Sequence, residues 1–172
     1  MCGLIGEIDF NNKYLDIDDF KKNLDTLEHR GPDSKGHYIY KNFFQIGFRR
    51  LSIIDLDERS NQPMTTDDKK LIIVFNGEIY NFKKIKKVLI NENIKFKTNS
   101  DTEVILALYK HRGEDGLRLL RGMFSIAICD IVKKKFLFLR DPYGIKPLYY
   151  FHKNKTFLFS STVTSLLNFE KV

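Results

Sequence analysis

The second residue of this 172-residue chain is a cysteine, followed by Gly3 and the short apolar run Leu4-Ile5. Removal of Met1 is favoured by the small residue after it, and it would leave Cys2 carrying a thiol and a free α-amine together. A free α-amino group titrates near 7.7–8, so around neutral pH much of it is unprotonated and can take a proton from the thiol or from an attacking water. The nucleophile and its base then sit on one residue. The alternative for these residues is a small apolar side chain opening a buried strand, because unpaired cysteine often packs as core.

Asn76-Gly77-Glu78 follows the apolar run Leu71–Phe75 directly, so its polar groups are expected at a sheet end. Acyl transfer from an amide needs donors aimed at the oxygen that becomes negative, and an asparagine amide beside a glycine N–H supplies two. The same dipeptide is also a common turn. Arg50 follows Arg49 where a strand is expected to end, which is also what a surface charge looks like. Asp101 stands at a helix N-terminus, where the helix dipole alone would favour it. Cys129, between Ile128 and Asp130 in an apolar run, reads as core. His29, His37, His111 and His152 show no metal-ligand spacing.

The length suits one domain with a substantial core. Hydrophobic residues make up 42%, with 15 Phe and 8 Tyr, which supports a globular, β-rich chain. Apolar stretches are too short to span a bilayer, no secretory leader is evident, and the two cysteines suggest no disulfide framework. A cytoplasmic setting without membrane association is therefore expected. The net charge of +7 is carried mainly by lysines spread along the chain. Their densest cluster, Lys83, Lys84, Lys86 and Lys87 around Ile85, reads as the wet face of an amphipathic helix, so no nucleic-acid partner is expected.

The elements that must position these residues follow from periodicity. Gly3–Phe10 reads as a strand, and Asp18 caps a helix with Phe20, Leu24 and Leu27 on one face. Arg30-Gly31-Pro32-Asp33-Ser34 is a loop. Gly36–Tyr40 and Phe43–Phe48 form a hairpin about Lys41-Asn42, and Leu71–Phe75 is a short buried strand. Asn81 caps the lysine-rich helix. Ser100-Asp101-Thr102-Glu103 has the capping-box spacing ahead of a helix with Val104, Ile105 and Leu108 inward. Gly113–Leu120 reads as a second short helix, and Met123–Asp130, Lys135–Arg140, Leu148–Phe151 and Thr156–Ser160 as four strands. This grouping of strands and helices favours an α+β fold with antiparallel sheets and helices packed outside.

Taken as a whole, the chain resembles the glutamine-hydrolysing domain of class II glutamine amidotransferases, enzymes with an N-terminal nucleophile, most closely the asparagine-synthetase type. The matching residues are Met1-Cys2-Gly3, Arg30-Gly31-Pro32-Asp33, Arg50-Leu51-Ser52-Ile53-Ile54-Asp55, Gln62-Pro63-Met64, Asn76-Gly77-Glu78-Ile79-Tyr80-Asn81, Ser100-Asp101-Thr102-Glu103-Val104, Gly122-Met123-Phe124, and the run from Arg140 to Tyr150. They fall in the family's order and span nearly the entire chain. The resemblance implies one glutaminase domain over residues 1–172, folded as a four-layer αββα sandwich of two antiparallel sheets flanked by helices. It implies that Cys2 attacks the side-chain amide of L-glutamine, giving a thioester, and that Asn76 and Gly77 form the oxyanion hole. Arg50 would hold the substrate carboxylate, Asp101 with Glu78 the ammonium, and main-chain groups of Leu51, Ser52, Ile53 and Ile54 would line the pocket. A supporting role falls to Arg140–Tyr150.

The match departs at the end. Where the family carries Ser-Glu-hydrophobic-Lys-Ala-Leu, this chain has Ser161-Thr162-Val163-Thr164-Ser165-Leu166, and it contains nothing like the Ser-Gly-Gly-x-Asp-Ser pyrophosphate loop. The expectation is that these residues need no cofactor, that ATP and magnesium belong to an absent synthetase domain, and that ammonia passes to such a domain or to a separate synthetase subunit. A non-catalytic glutamine-sensing or docking module of the same fold, or an amidotransferase domain serving another acceptor, are the alternatives.

Overall fold

The computed structural model describes residues 1–12 and 14–172. Among the described residues nine strands form two sheets. Strands β1 (Gly3–Asp9), β2 (Ser34–Tyr40), β3 (Phe44–Arg50), β8 (Tyr149–Lys153) and β9 (Thr156–Ser160) make a five-stranded sheet in the order β2-β3-β1-β9-β8. Strands β4 (Met64–Thr65), β5 (Leu71–Ile79), β6 (Gly122–Asp130) and β7 (Lys135–Arg140) make a four-stranded sheet in that order. Every pairing is antiparallel.

The two-residue period of the strands sorts their side chains into layers. On the inner faces, Leu4 and Ile8 of β1 meet Ile72 and Val74 of β5, Ala127 and Cys129 of β6, and Phe159 of β9. On the outer face of the first sheet, Ile5 and Leu158 pack against Phe20, Leu24 and Leu27 and against Leu166 and Phe169. These come from α1 (Ile17–Asp25) with the turn after it, and from α4 (Val163–Leu167) with its end. On the outer face of the second sheet, Ile73, Phe75, Ile126 and Ile128 pack against α2 (Phe82–Asn91) and α3 (Asp101–Leu117). The result is helix, sheet, sheet, helix, the four-layer order expected. Cys129 is 1% exposed, as a core residue should be.

Several local expectations are corrected. Asp16, not Asp18, caps α1, its carboxylate accepting the N–H groups of Asp18 and Asp19. Asn81 precedes α2 but makes no side-chain cap; its amide donates to the Leu119 carbonyl at 2.9 Å and accepts the Arg121 N–H at 3.0 Å, tying α2 to the end of α3. The capping box is half formed. Ser100 Oγ accepts the Glu103 N–H at 3.3 Å, while the Glu103 carboxylate turns away to the N–H groups of Lys97 and Thr98. The second short helix expected from Gly113 is present: the helical run from Asp101 to Leu117 breaks at Gly113 (φ 60°, ψ −149°) into two helices, the second ending at Leu117 and not at Leu120.

The most consequential correction concerns Asn76-Gly77. They do not end β5; the strand continues to Ile79, with Asn76 opposite Ser125 and Gly77 opposite Phe124. A nine-residue strand buried on both faces loses the polar–apolar alternation that marks a boundary, so the polar triplet looked like a terminus.

Candidate active site

Cys2 stands just before β1, half-buried against the inner faces of the two sheets. On the opposing sheet Ile72 and Val74 point inward, so the strand period puts Asn76 on the same face. The two sheets thereby bring residues 2 and 76 to one cavity. Its walls include Cys2, Arg50, Leu51, Ile53, Ile54, Asn76, Gly77, Glu78 and Asp101 from the sequence-derived set. Ser52 is not among them. Its N–H donates to Asp33 Oδ2 at 2.7 Å, so this residue fastens the 50–55 loop to the Arg30–Asp33 loop.

The edge of β5 facing the cavity shows how a donor is left unspent. In an antiparallel strand, alternate residues aim their N–H and C=O groups at the same neighbour. Phe75 uses both on the side chain of Gln62: its N–H reaches Oε1 at 2.6 Å and its carbonyl accepts Nε2 at 3.1 Å. Four residues on, the Ile79 N–H donates to Asp101 Oδ2 at 3.1 Å. Gly77 lies midway and faces the same edge, beyond the last residue paired with β4. On its other side Phe124 spends its N–H and C=O on Asp141. The Gly77 N–H therefore opens toward the cavity. A Cβ here would stand 2.1 Å from the Met123 carbonyl oxygen, so only glycine lets β5 and β6 approach this closely.

Asn76 supplies a second donor. It is 1% exposed, and its Nδ2 is buried without a hydrogen-bond partner among the described residues. Leaving such a donor unsatisfied costs about 1–3 kcal/mol, so its retention at a cavity wall points to a partner arriving from the cavity.

The thiol is held by the loop after β3. Leu51 N–H donates to Cys2 Sγ at 3.3 Å, and Sγ lies 3.5 Å from the Leu51 carbonyl as donor. Arg30 Nε donates to the Cys2 carbonyl at 3.0 Å. Burial pushes the Cys2 thiol up, and the pull of the Leu51 N–H, the N-terminal ammonium, Arg50 and Lys146 does not reverse this. The thiol is therefore held protonated and needs a base to react. Met1, present here, also lines the cavity.

Arg50 does not present a free fork to the cavity. Nη1 donates to Asn61 Oδ1 at 2.8 Å and to the Asp57 carbonyl at 3.4 Å; Nη2 donates to the carbonyls of Ile54, at 3.2 Å, and Asp55. The guanidinium thus shapes the loop that bears Leu51 and Ile54, a task the sequence analysis did not give it. Asp101, 4% exposed, lies at the α3 N-terminus. Burial pushes its carboxyl up to about 6 and the nearby Glu78 charge adds to this, against the N–H groups of Ile79, Asp101 and Thr102.

Sequence reasoning gave no role to Gln62, Thr102 and Met123, and placed Lys146 only within a supporting segment, yet all four line the cavity. The signal was present for Gln62, whose Nε2 also donates to Thr102 Oγ1 at 3.2 Å: it stands in a motif that was noted without a role. The Ser161–Leu166 segment, noted as a departure, closes the fold locally. Ser161 Oγ accepts the Leu4 N–H at 3.0 Å, and Thr162 caps α4. No helix among the described residues is long and apolar enough to cross a membrane.

Residues 1–172 match the model of a glutamine amidotransferase domain family. Asparagine synthetase [glutamine-hydrolyzing] 1 of Bacillus subtilis is 42% identical over 172 residues, covering 97% of this chain and 27% of that protein. Asparagine synthetase [glutamine-hydrolyzing] 2 of the same organism is 39% identical over 171 residues, covering 98% of this chain and 22% of its own length. The chain thus spans about a quarter of these curated relatives. Among solved structures, the glutamine phosphoribosylpyrophosphate amidotransferase of B. subtilis superposes with a TM-score of 0.81 at 21% identity, over 96% of this chain and 43% of that one. At that identity the likeness concerns the fold alone, a sandwich of two antiparallel sheets between helices.

Proposed function

Because this chain belongs to the glutamine amidotransferase domain family, we propose that it hydrolyses L-glutamine to glutamate and ammonia at the Cys2 cavity. The observation that carries this reading is the pair of unspent donors, Asn76 Nδ2 and the Gly77 N–H, on the cavity wall shared with Cys2. Loss of Met1 frees the Cys2 α-amine. Sγ adds to the δ-carbonyl carbon of glutamine while its proton passes to that amine. The carbonyl oxygen becomes an anion received by the two donors, a contribution typically about 3–4 kcal/mol for one donor in acyl-transfer enzymes. Collapse breaks the C–N bond; the proton on the α-ammonium goes to the leaving nitrogen, ammonia departs, and a thioester remains. Water, deprotonated by the same amine, then releases glutamate and restores the thiol. This half-reaction needs no cofactor.

Asp101 and Glu78 face the substrate ammonium in this reading. Arg50 reaches the carboxylate only by giving up contacts with its loop. The ammonia is destined for an asparagine-synthetase-type amide-forming domain or partner, a reading supported by relatives whose names describe glutamine-hydrolysing asparagine synthetases; the cytoplasmic setting and the use of ATP and magnesium by that domain belong to the same proposal.

Intact mass after incubation with a glutamine-like diazo-ketone tests the reading. The expected protein lacks Met1 and carries one adduct on Cys2, and glutamate release from glutamine is lost in Cys2→Ala. An active protein that retains Met1, or glutamine binding without turnover in the presence of a synthetase, overturns it.

A further inference from the structure

Lys146 is 8% exposed, lines the cavity, and its ammonium has no hydrogen-bond or ion-pair partner among the described residues. Its stem is largely buried while its ammonium is left without an acidic partner, and proteins keep such groups at a cavity wall mainly where they act. Its backbone is held firmly. The Asp141 carboxylate, 3% exposed, accepts the N–H groups of Lys146 at 3.0 Å, Ile145 at 2.9 Å, Tyr143 at 3.1 Å and Phe124 at 3.2 Å. Arg140 Nε donates to the Lys146 carbonyl at 2.9 Å. Phe124 is the residue opposite Gly77, so one carboxylate fixes the lysine's backbone to the strand that flanks the oxyanion donors. Burial would raise Asp141, but these N–H groups together outweigh it and hold its carboxyl low, so the anchor stays charged.

We propose that Lys146 is an electrostatic positioning residue of the Cys2 site, its unpaired ammonium stabilising the thiolate and the negative charge that develops when the thiol reacts. The inference rests on Cys2 being the nucleophile of the proposed glutaminase. Other charges around Cys2 differ in kind. Arg50 is committed to its loop and Arg30 to the Cys2 carbonyl, the N-terminal ammonium must become neutral to act as base, and Glu78 and Asp101 line the same cavity as acids. Lys146 is the cation left without a task of its own. It acts on Cys2 in the same sense as the N-terminus and Arg50, though less strongly than either, favouring the thiolate.

The test is the pH dependence of iodoacetamide alkylation of Cys2 in the processed chain, read by intact mass, in wild type, Lys146→Met and Lys146→Arg. Cys129 is buried and contributes little to the signal. In Lys146→Met the alkylation midpoint is expected to rise by about one pH unit, so that thiolate at neutral pH and kcat for glutamine each fall about tenfold while KM changes little. Lys146→Arg restores most of both. Because an unpaired charge is removed, Lys146→Met should melt at or above the wild-type temperature; a clear fall in melting temperature marks a structural lysine and overturns the proposal. An unchanged alkylation profile with a raised KM overturns it in favour of a substrate-carboxylate anchor. If Lys146→Met fails to fold, Lys146→Arg must still titrate as wild type, and a shifted midpoint there counts against the proposal. The alkylation readout does not involve glutamine, so the two failures are told apart: a wild type that releases no glutamate defeats the glutaminase reading on which this inference rests, whereas an active wild type with an unchanged Lys146→Met alkylation profile defeats this inference alone.

Discussion

Cys2 and Leu51 hold each other: the Leu51 N–H donates to Sγ at 3.3 Å, and Sγ lies 3.5 Å from the Leu51 carbonyl. The thiol proposed as nucleophile is thereby fixed to a loop that takes its shape from Arg50. The aim of the thiol thus depends on Arg50 as well as on Cys2.

Arg50→Ala should act on the loop first. The Ile54, Asp55 and Asp57 carbonyls and the Asn61 side chain lose their donor, and stability is expected to fall by about 2–3 kcal/mol, the scale of hydrogen bonds to a charged group. Arg50→Lys keeps the charge but not the fork, so it should recover little of this. Denaturant unfolding checks the stability. A KM increase with unchanged stability and unchanged thiol alkylation would instead show that Arg50 serves the substrate alone.

Asn76→Ala removes a buried donor that has no partner among the described residues. It should lower kcat by about 10²–10³-fold with KM nearly unchanged, since the interaction forms only as charge develops. The melting temperature should hold or rise. Steady-state kinetics with thermal unfolding separates this from a structural role, in which stability and activity fall together.

Asp101 gives the site a pH dependence of definite sign. Its folded-state carboxyl titrates at about 6 against 3.8 for the ordinary group. The proposed role of Asp101 in receiving the substrate ammonium needs the charged form, so on that reading KM for glutamine should rise about tenfold per pH unit below 6, and Asp101→Asn should raise KM and remove the dependence. The folded state binds the extra proton between these two values, so this residue stabilises the fold progressively as pH falls from about 6 toward 4 and costs stability above 6. At pH 8, Asp101→Asn is expected to melt no lower than wild type, which differential scanning calorimetry can check.

Gly77→Ala puts a methyl 2.1 Å from the Met123 carbonyl oxygen in the middle of the β5–β6 ladder. The strands must part at the residue that supplies the backbone donor. A stability loss of about 1–3 kcal/mol, the usual range for forced overpacking, should accompany a fall in kcat. Wild-type kinetics in a folded Gly77→Ala protein would remove Gly77 from the oxyanion hole.

Local chemistry decided much by itself. The alternation of Leu4, Ile8, Ile72 and Val74 against Ile5, Ile73 and Phe75 determined strands with two buried faces, and hence two sheets with helices outside. The residue types of Cys2, Asn76, Gly77 and Asp101 determined which chemistry was available. What the chain alone did not decide was the partner of each group, because hydrogen bonds form between residues far apart in sequence and are settled by packing. Glu103 turns from Ser100 to Thr98, Ser52 spends its N–H on Asp33, and Arg50 turns from the cavity to its own loop. The unspent donors of Asn76 and Gly77 and the unpaired ammonium of Lys146 are likewise tertiary facts. A vacant hydrogen-bonding edge exists only once Gln62 and Asp101 have filled the positions on either side of it.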